Sequence, residues 1–170
     1  MEFIERLLNE FSSHDLCGEY KDMVLDAGNH KRKLIDIATD SNGCEYISEH
    51  SLLLLNIMPL NELSSMFEPY ANGRYISKHR NSKGNGYDSM LICDLVGDIE
   101  VKTTLCLVLF SDVTIIVPKN EFVTIYASLN SNLKIKAEEN AIVNVNLYDN
   151  SVCESIGNGK VNIQINKQDK

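Results

Sequence analysis

The chain has 170 residues, of which 44% are apolar and 24% are charged, a composition typical of a soluble globular protein. This length is enough for one domain with a substantial core, and we expect one domain built from two unlike halves. The formal net charge of −8 disfavours a long, sequence-independent contact with a nucleic-acid backbone or an anionic membrane.

Targeting and membrane-spanning segments are not predicted. The first residues, MEFIERLLNEF, carry Glu2, Glu5 and Arg6 where a secretory signal has an uninterrupted apolar run. The most apolar run, Ser51 to Leu60, is about half as long as the ~20 residues that cross a bilayer. The five cysteines are scattered and form no C-x-x-C pair, which argues against a disulfide framework or zinc site and favours the cytoplasm.

Residues 1–71 are predicted to form a helical N-terminal region. Apolar residues at helical spacing indicate helices near residues 2–11, from Asp15 to Ala27, and from about Lys31 onward. Asn42, followed three residues later by an acid, has the pattern of an N-cap and predicts a short helix. Pro59 is a favourable first residue for a further helical turn.

Residues 72–87, NGRYISKHRNSKGNGY, are predicted to form a strand followed by an exposed loop, because glycine and asparagine replace apolar periodicity after Ile76. Residues 88–168 are then expected to be β-rich. Strands are indicated from Ser89 to Leu95, Asp98 to Thr103 and Leu105 to Phe110.

A ten-residue repetition begins at about residue 113. Its first apolar column is Val113, Val123, Leu133, Val143, Cys153 and Ile163, and two further columns follow at alternate positions. Four asparagines keep the same spacing: Asn120, Asn130, Asn140 and Asn150. Alternating apolar residues make the buried face of a short strand, and asparagine is suited to the turn that follows it.

The predicted fold is α+β, with the helical N-terminal half packed against, or capping, a short β-solenoid of parallel strands. Two or three decapeptides would form each coil, and asparagines stacked at the corners would form a ladder. The alternative is an antiparallel β meander or sandwich, in which repeated asparagine reflects turn preference alone. The recurrence of one residue type favours the solenoid, with its second end blunted by the tail Asn166 to Lys170.

The run LYDNSVCESIGNGKVNI resembles the Y-D-N-S-x-V repeats of uncharacterised β-helical proteins from prophages and mobile elements of gut bacteria. The segments DSNG from Asp40, NGRYI from Asn72 and TTL from Thr103 are also similar to that group. The resemblance implies a parallel β-helix and a phage or mobile-element origin, and it implies no activity. Cys153 stands where the motif has its last valine.

No catalytic residue, cofactor or metal site is predicted. The four histidines lack metal-binding spacing and are interpreted as exposed or capping residues: His14, His30, His50 and His79. Cys44 lies at a predicted helix start that would favour a thiolate, but packing as a small buried residue is the preferred interpretation. Cys106 and Cys153 are expected to pack inside strands.

Seven basic residues form the candidate site for an anion or an acidic partner: Lys31, Arg32, Lys33, Arg74, Lys78, Arg80 and Lys83. The alternative is ordinary solvated surface charge. Acidic residues of the repeat region, among them Asp112 and Glu154, would be needed for glycan cleavage, but a short coil offers little room for a substrate cleft.

The leading functional hypothesis is a non-enzymatic structural or protein-interaction module that binds an unidentified protein, with a homo-oligomer as a further expectation. The second hypothesis is a regulator that contacts nucleic acid or a nucleic-acid enzyme, although the net charge disfavours direct nucleic-acid binding. The third is a small carbohydrate-binding or carbohydrate-active protein.

Overall fold

A computed structural model describes residues 18–49, 74–80 and 83–166, together with Glu5 and Asn9, which both have helical backbone. Three helices lie in the first described range: α1 (Gly18–Ala27), α2 (Lys31–Ala38) and α3 (Ser41–Glu49). They confirm the helices predicted before Ala27, from Lys31 and near Cys44. The helices predicted at residues 2–11, apart from those two residues, and at Pro59 lie outside the described residues.

Ten strands follow the helices. They are β1 (Arg74–Arg80), β2 (Gly86–Cys93), β3 (Val96–Glu100), β4 (Leu105–Leu109), β5 (Asp112–Val117), β6 (Phe122–Ser128), β7 (Asn132–Ala137), β8 (Ile142–Leu147), β9 (Val152–Gly157) and β10 (Lys160–Ile165). The even-numbered strands and β1 form a six-stranded sheet in the order β1-β2-β4-β6-β8-β10, and the others form a four-stranded sheet in the order β3-β5-β7-β9. The chain therefore alternates between two sheets.

From β2 onward all pairings within the sheets are parallel, so the β-rich region is a β-solenoid of about four turns. The antiparallel meander or sandwich is wrong, since only β1 and β2 pair antiparallel among the described strands. Strands β5 to β9 begin ten residues apart, but Asp112 pairs with Asn132 and Phe122 with Ile142. Between β5 and β9 the stacking distance is therefore twenty residues, because one coil uses a strand from each sheet, whereas from β8 to β10 it is eighteen, since Ile142 pairs with Lys160.

The solenoid core lies between the two sheets and is made by the predicted alternating columns as far as β9. In β10 the register shifts by two residues, so Ile163 stacks on Val145 and not, as the ten-residue columns predicted, on Val143. In β7 and β8, for example, Leu133, Ile135, Val143 and Val145 are at most 1% exposed. Side chains at alternate positions of a strand point to opposite faces, so the intervening residues face outward. The burial pattern of β5 to β8 follows this alternation, and full burial of each such side chain contributes about 1.5–3 kcal/mol.

A second core joins the helices to the outer face of the six-stranded sheet. Leu91 and Leu107 belong to the outward columns of β2 and β4, yet both are fully buried because Val24, Leu34 and Ile47 of the helices cover them. The three described helices therefore pack against the side of the solenoid, which is one of the two predicted arrangements, and none of these three closes its end. The polar tail from residue 167 lies outside the described residues.

The turn between α2 and α3 differs in detail from the prediction. Helix α3 begins at Ser41, and Asp40 is its N-cap, because the Asp40 Oδ1 accepts a hydrogen bond from the Asn42 N–H at 3.2 Å. The predicted cap, Asn42, is instead the second helical residue. Glycine is required at position 43 of α3, since a Cβ there would collide with the carbonyl oxygen of Ile37 in α2.

Candidate functional site

The seven predicted basic residues lie on separate elements. Lys31, Arg32 and Lys33 form the first turn of α2, where the side chains of Arg32 and Lys33 are exposed. Of the others, Arg74, Lys78 and Arg80 lie on β1, and Lys83 lies in the loop before β2, with the side chains of Lys78 and Lys83 exposed. The side chains of Lys31, Arg74 and Arg80 are not among those that the structure describes.

The end of β1 contacts the C-terminal end of α2. His79, at the end of β1, lies 3.3 Å from Thr39, which follows the last residue of this helix. Arg32 is seven residues before Thr39, and at 1.5 Å per helical residue this is a separation of about 10 Å along the helix. The contacts of the described side chains therefore tie β1 to the far end of α2, away from its basic first turn.

A polar cluster that the sequence did not predict connects the helices to β1 and β2. The His79 Nε2 lies 2.9 Å from the Ser89 Oγ and 3.3 Å from the Thr39 Oγ1, and its Nδ1 lies 3.8 Å from the Asp40 Oδ2. The Tyr87 hydroxyl donates a hydrogen bond to the same Asp40 oxygen at 2.8 Å, and the Tyr87 ring stacks on His79 with centroids 5.0 Å apart. His79 is therefore a partner in a network, which corrects its interpretation as an exposed or capping residue.

This cluster contains a serine, a histidine and an aspartate, the residue types of a Ser-His-Asp catalytic triad. Its geometry instead indicates a structural contact between the helices and the strands. Ser89 and Thr39 are both fully buried, so a substrate has no route to either hydroxyl in this arrangement. The distance of 3.8 Å from His79 to Asp40 exceeds hydrogen-bonding range. The aspartate instead caps α3 and accepts the hydrogen bond of Tyr87.

The described cysteines are buried or half-buried thiols. Cys44 and Cys106 are 0% exposed; burial raises the pKa of both thiols, that of Cys106 to about 12. Burial, and then the Glu154 carboxylate, raise the pKa of Cys153 to about 11. These thiols are protonated at neutral pH, and thiolate formation at Cys44 is disfavoured by burial more than a helix start would favour it.

The predicted corner asparagines turn the chain between the two sheets. Asn120, Asn130 and Asn140 have φ of 63°, 59° and 61°, the left-handed conformation that asparagine tolerates better than most residues. Asn150 is not in this group, and Asp149 takes the left-handed conformation at its corner, with φ of 53°. A ladder of hydrogen bonds between the corner side chains stays a prediction.

A buried column of serines supports the corners that follow the six-stranded sheet. Ser131 Oγ donates to the Ser128 carbonyl at 2.7 Å and accepts from the Ser111 N–H at 3.4 Å. Ser151 Oγ accepts in turn from the Ser131 N–H at 3.1 Å. These three stacked serines are spaced by twenty residues, and a search of the sequence at that spacing would have found them. Asp149, Asn150 and Ser151, which are the DNS of the run LYDNSV, thus form a corner of the solenoid, and their described contacts are structural.

The outer face of the four-stranded sheet is exposed and has an open depression of about 220 Å³. Its polar side chains contact one another: the Lys134 Nζ lies 2.9 Å from the Glu154 Oε1, and the Asn132 amide donates to Asp112 at 3.2 Å.

The last coil, formed by β9 and β10, has no further strand stacked on it among the described residues. Its inward column in β10 is Val161, Ile163 and Ile165, and the last two are 40% and 70% exposed. The equivalent residues of β8, which pair with them, are at most 3% exposed. Each strand of the last coil pairs on one side only within the described residues, since β9 and β10 are the end strands of their sheets. This end of the solenoid, hereafter the open end, exposes both apolar side chains and strand edges.

The backbone of the open end presents unpaired donors in a regular pattern. The N–H groups of Lys160 and Asn166 donate to the carbonyls of Ala141 and Leu147 in the preceding coil, both at 2.8 Å. Because bonding direction alternates along a strand, the N–H groups of the three residues of the inward column point away from β8. A strand edge of this kind is a template for pairing with another chain.

The part of the chain that the structure describes contains no helix long and apolar enough to cross a membrane. The same residues include no group of three or more His, Cys, Asp or Glu side chains placed to hold a metal ion. A scan against protein-family models gave no match, and searches of curated proteins and of solved structures also gave none.

Proposed function

We propose that this protein is a non-enzymatic structural or protein-interaction module that binds another protein through the open end of its solenoid. The observation that supports the proposal is the exposure of core residues in the last coil, with Ile165 at 70%. Exposed apolar side chains and unpaired strand edges are costly in a monomer, and a partner that adds a strand removes both costs.

The cellular setting belongs to the same proposal. The similarity of the LYDNSV run to repeats of prophage and mobile-element proteins, and the scattered cysteines, support a phage or mobile-element protein that acts in the cytoplasm. The ten-residue unit is then a building element that makes one strand and one corner. Its role is to hold the open end rigidly and to anchor the helices on one side.

Affinity capture with the tagged full chain tests this function. We expect a recurrent protein partner that survives nuclease treatment and that is lost when Ile163→Lys places a charge in the open end. Ile156→Lys is the matched control, because Ile156 is similarly exposed, at 44% against 40%, but lies on the outer face of β9, which belongs to the other sheet.

Two results would contradict the proposal. Equal capture by the wild type and the Ile163→Lys variant would show that the open end is not the binding surface. Loss of every partner after nuclease treatment would instead support the nucleic-acid hypothesis, in which the exposed basic residues of α2 and β1 are the surface to test next.

A further inference from the structure

We propose that the open end binds the open end of a second copy of this chain, so that two solenoids meet tail to tail about a two-fold axis. This inference rests on the proposed interaction function and names its partner. In the dimer, β10 pairs antiparallel with the second copy's β10, and β9 pairs antiparallel with the second copy's β9.

The first argument is self-complementarity. An occupant that covers the open end must present two strand edges about 10 Å apart with an apolar layer between them, since this is the spacing of two packed sheets. The chain's own open end presents these features, with β9 and β10 each six residues long. A globular partner with a single edge strand would cover only half of this surface.

The second argument is register. An antiparallel pair keeps side chains on the same face only if residues of the same column lie opposite each other. Pairing centred on Ile163 places Ile163 opposite its copy and Val161 opposite the second copy's Ile165. In β9 the same axis places Ser155 opposite its copy, because Ser155 and Ile163 are the central inward residues of their strands, stacked on Ile135 and Val145.

The backbone fits this register. The N–H groups of Val161, Ile163 and Ile165 point away from β8, and in β9 the bond from the Val152 N–H to the Ser131 carbonyl leaves the Ser155 N–H pointing away from β7. Residues that lie directly opposite in an antiparallel pair exchange two hydrogen bonds when their backbone groups face each other. At both central pairs, Ile163 with its copy and Ser155 with its copy, the free N–H group of each residue therefore faces the free carbonyl group of the other.

The other end of the solenoid closes in a related way within one chain. There β1 pairs antiparallel with β2 over seven residues, so two strands of the six-stranded sheet, β1 and β2, precede β3, the first strand of the other sheet. That end is stepped and its outermost strand carries the exposed Lys78. The open end instead finishes in parallel strands and exposes Ile163 and Ile165, so the two ends do not match, which favours a closed pair over a head-to-tail filament.

The size of the contact sets the expected strength. Two strands of about 20 Å on sheets about 10 Å apart cover roughly 400 Å² per copy, or about 800 Å² in total, which is small for a permanent dimer. The net charge of −8 on each copy also opposes association at low salt. We therefore expect a reversible dimer that forms with increasing protein concentration at physiological ionic strength.

Sedimentation equilibrium of the full chain, measured over a hundredfold range of concentration, tests the proposal. The wild type is expected to shift from monomer to dimer, with no larger species. Ser155→Lys and Ser155→Asp should each weaken the dimer by about tenfold or more, because two like charges would then lie directly opposite. Ser155 is exposed and contributes little to the monomer core, so both variants should keep the wild-type circular dichroism spectrum and melting temperature.

A mixture of the two Ser155 variants gives the sharpest result. Residue 155 faces its own copy only in the two-fold arrangement, so equal amounts of the lysine and aspartate variants should restore the dimer. Ile156→Lys, on the outer face of the same strand, should dimerise like the wild type. A wild type that remains monomeric, a Ser155→Lys variant that dimerises normally, or a mixture that stays monomeric would each overturn the proposal.

These outcomes are separable from those of the capture experiment. A monomeric wild type whose captured protein partner is lost in the Ile163→Lys variant would remove the self-association and leave the interaction function in place. A monomeric wild type that captures no protein would remove both.

Discussion

At the scale of single residues, the solenoid depends on side chains that satisfy the backbone where the chain changes sheets. Asn120 and Asn140 adopt positive φ at the corners that follow the four-stranded sheet, and Ser111 and Ser131 accept hydrogen bonds at the corners that follow the other sheet. Left-handed backbone costs most L-residues about 1–2 kcal/mol, and a buried donor without a partner costs about 1–3 kcal/mol. The recurring polar residues of the repeat are therefore explained by backbone requirements.

The corner asparagines give the first prediction. Asn140→Ala should lower the free energy of unfolding by about 1 kcal/mol, because alanine tolerates positive φ poorly, while Asn140→Gly should be within about 0.5 kcal/mol of the wild type. Asn150→Ala is the control, since Asn150 is also at a corner but lacks positive φ. Urea denaturation measures all three. Equal losses for Asn140→Ala and Asn150→Ala would mean that the side chains, and not the backbone conformation, determine the preference.

The serine column gives the second prediction. Ser131→Ala removes an acceptor from the buried Ser111 N–H and a donor from the Ser128 carbonyl, so it should reduce the free energy of unfolding by about 1–3 kcal/mol. Ser155→Ala, at an exposed position, should change it by less than about 0.5 kcal/mol. The same denaturation series compares them, and a neutral Ser131→Ala would show that the column contributes no net stability.

At the scale of elements, the strands and their parallel stacking in a solenoid were predictable, whereas the sequence did not decide between two and three strands in each coil. Apolar residues at the alternate positions Val113, Ile115 and Val117 indicate a strand. A ten-residue repeat does not show whether consecutive strands pair with each other or lie in different sheets. The cluster of Asp40, His79 and Ser89 was also hidden, because a single sequence gives no sign that residues forty apart meet. The serine column is different, since its spacing of twenty is visible once a two-strand coil is considered.

The link between the helices and the first two strands gives a prediction for alkaline pH. Burial, and then the hydrogen bond to Asp40, raise the pKa of Tyr87 to about 12 from its ordinary value of 10. A group whose pKa is higher in the folded state stabilises it fully below the unfolded value. The Tyr87 contribution should therefore be complete below pH 10 and be lost as the pH rises from 10 to 12.

Tyr87→Phe tests this link. The variant should be less stable than the wild type by about 1 kcal/mol between pH 7 and 9, since the hydrogen bond to Asp40 is absent. The difference between the two proteins should shrink above pH 10, because the wild type then loses the same contribution. Unfolding free energies across this pH range measure it, and a difference that stays constant to pH 12 would contradict the assignment.

At the scale of the whole molecule, the helices and the solenoid divide the surface into unlike regions. The helices cover Leu91, Leu107 and their neighbours on one face, the outer face of the four-stranded sheet has paired charges, and the open end exposes Ile163 and Ile165. The sequence predicted a polar tail that blunts this end, and that tail lies outside the described residues from residue 167 onward. Which end carries the exposed residues required the placement of helices and strands.

Amide hydrogen exchange along β10 tests the open end most directly. In dilute protein the N–H groups of Val161, Ile163 and Ile165 should exchange fast, while those of Asn162 and Gln164, which point toward β8, should be protected. At high protein concentration the first three should become protected as well. Protection of all five groups that does not change with concentration would show that the chain already covers this edge, and it would contradict the proposal of an open, partner-binding end.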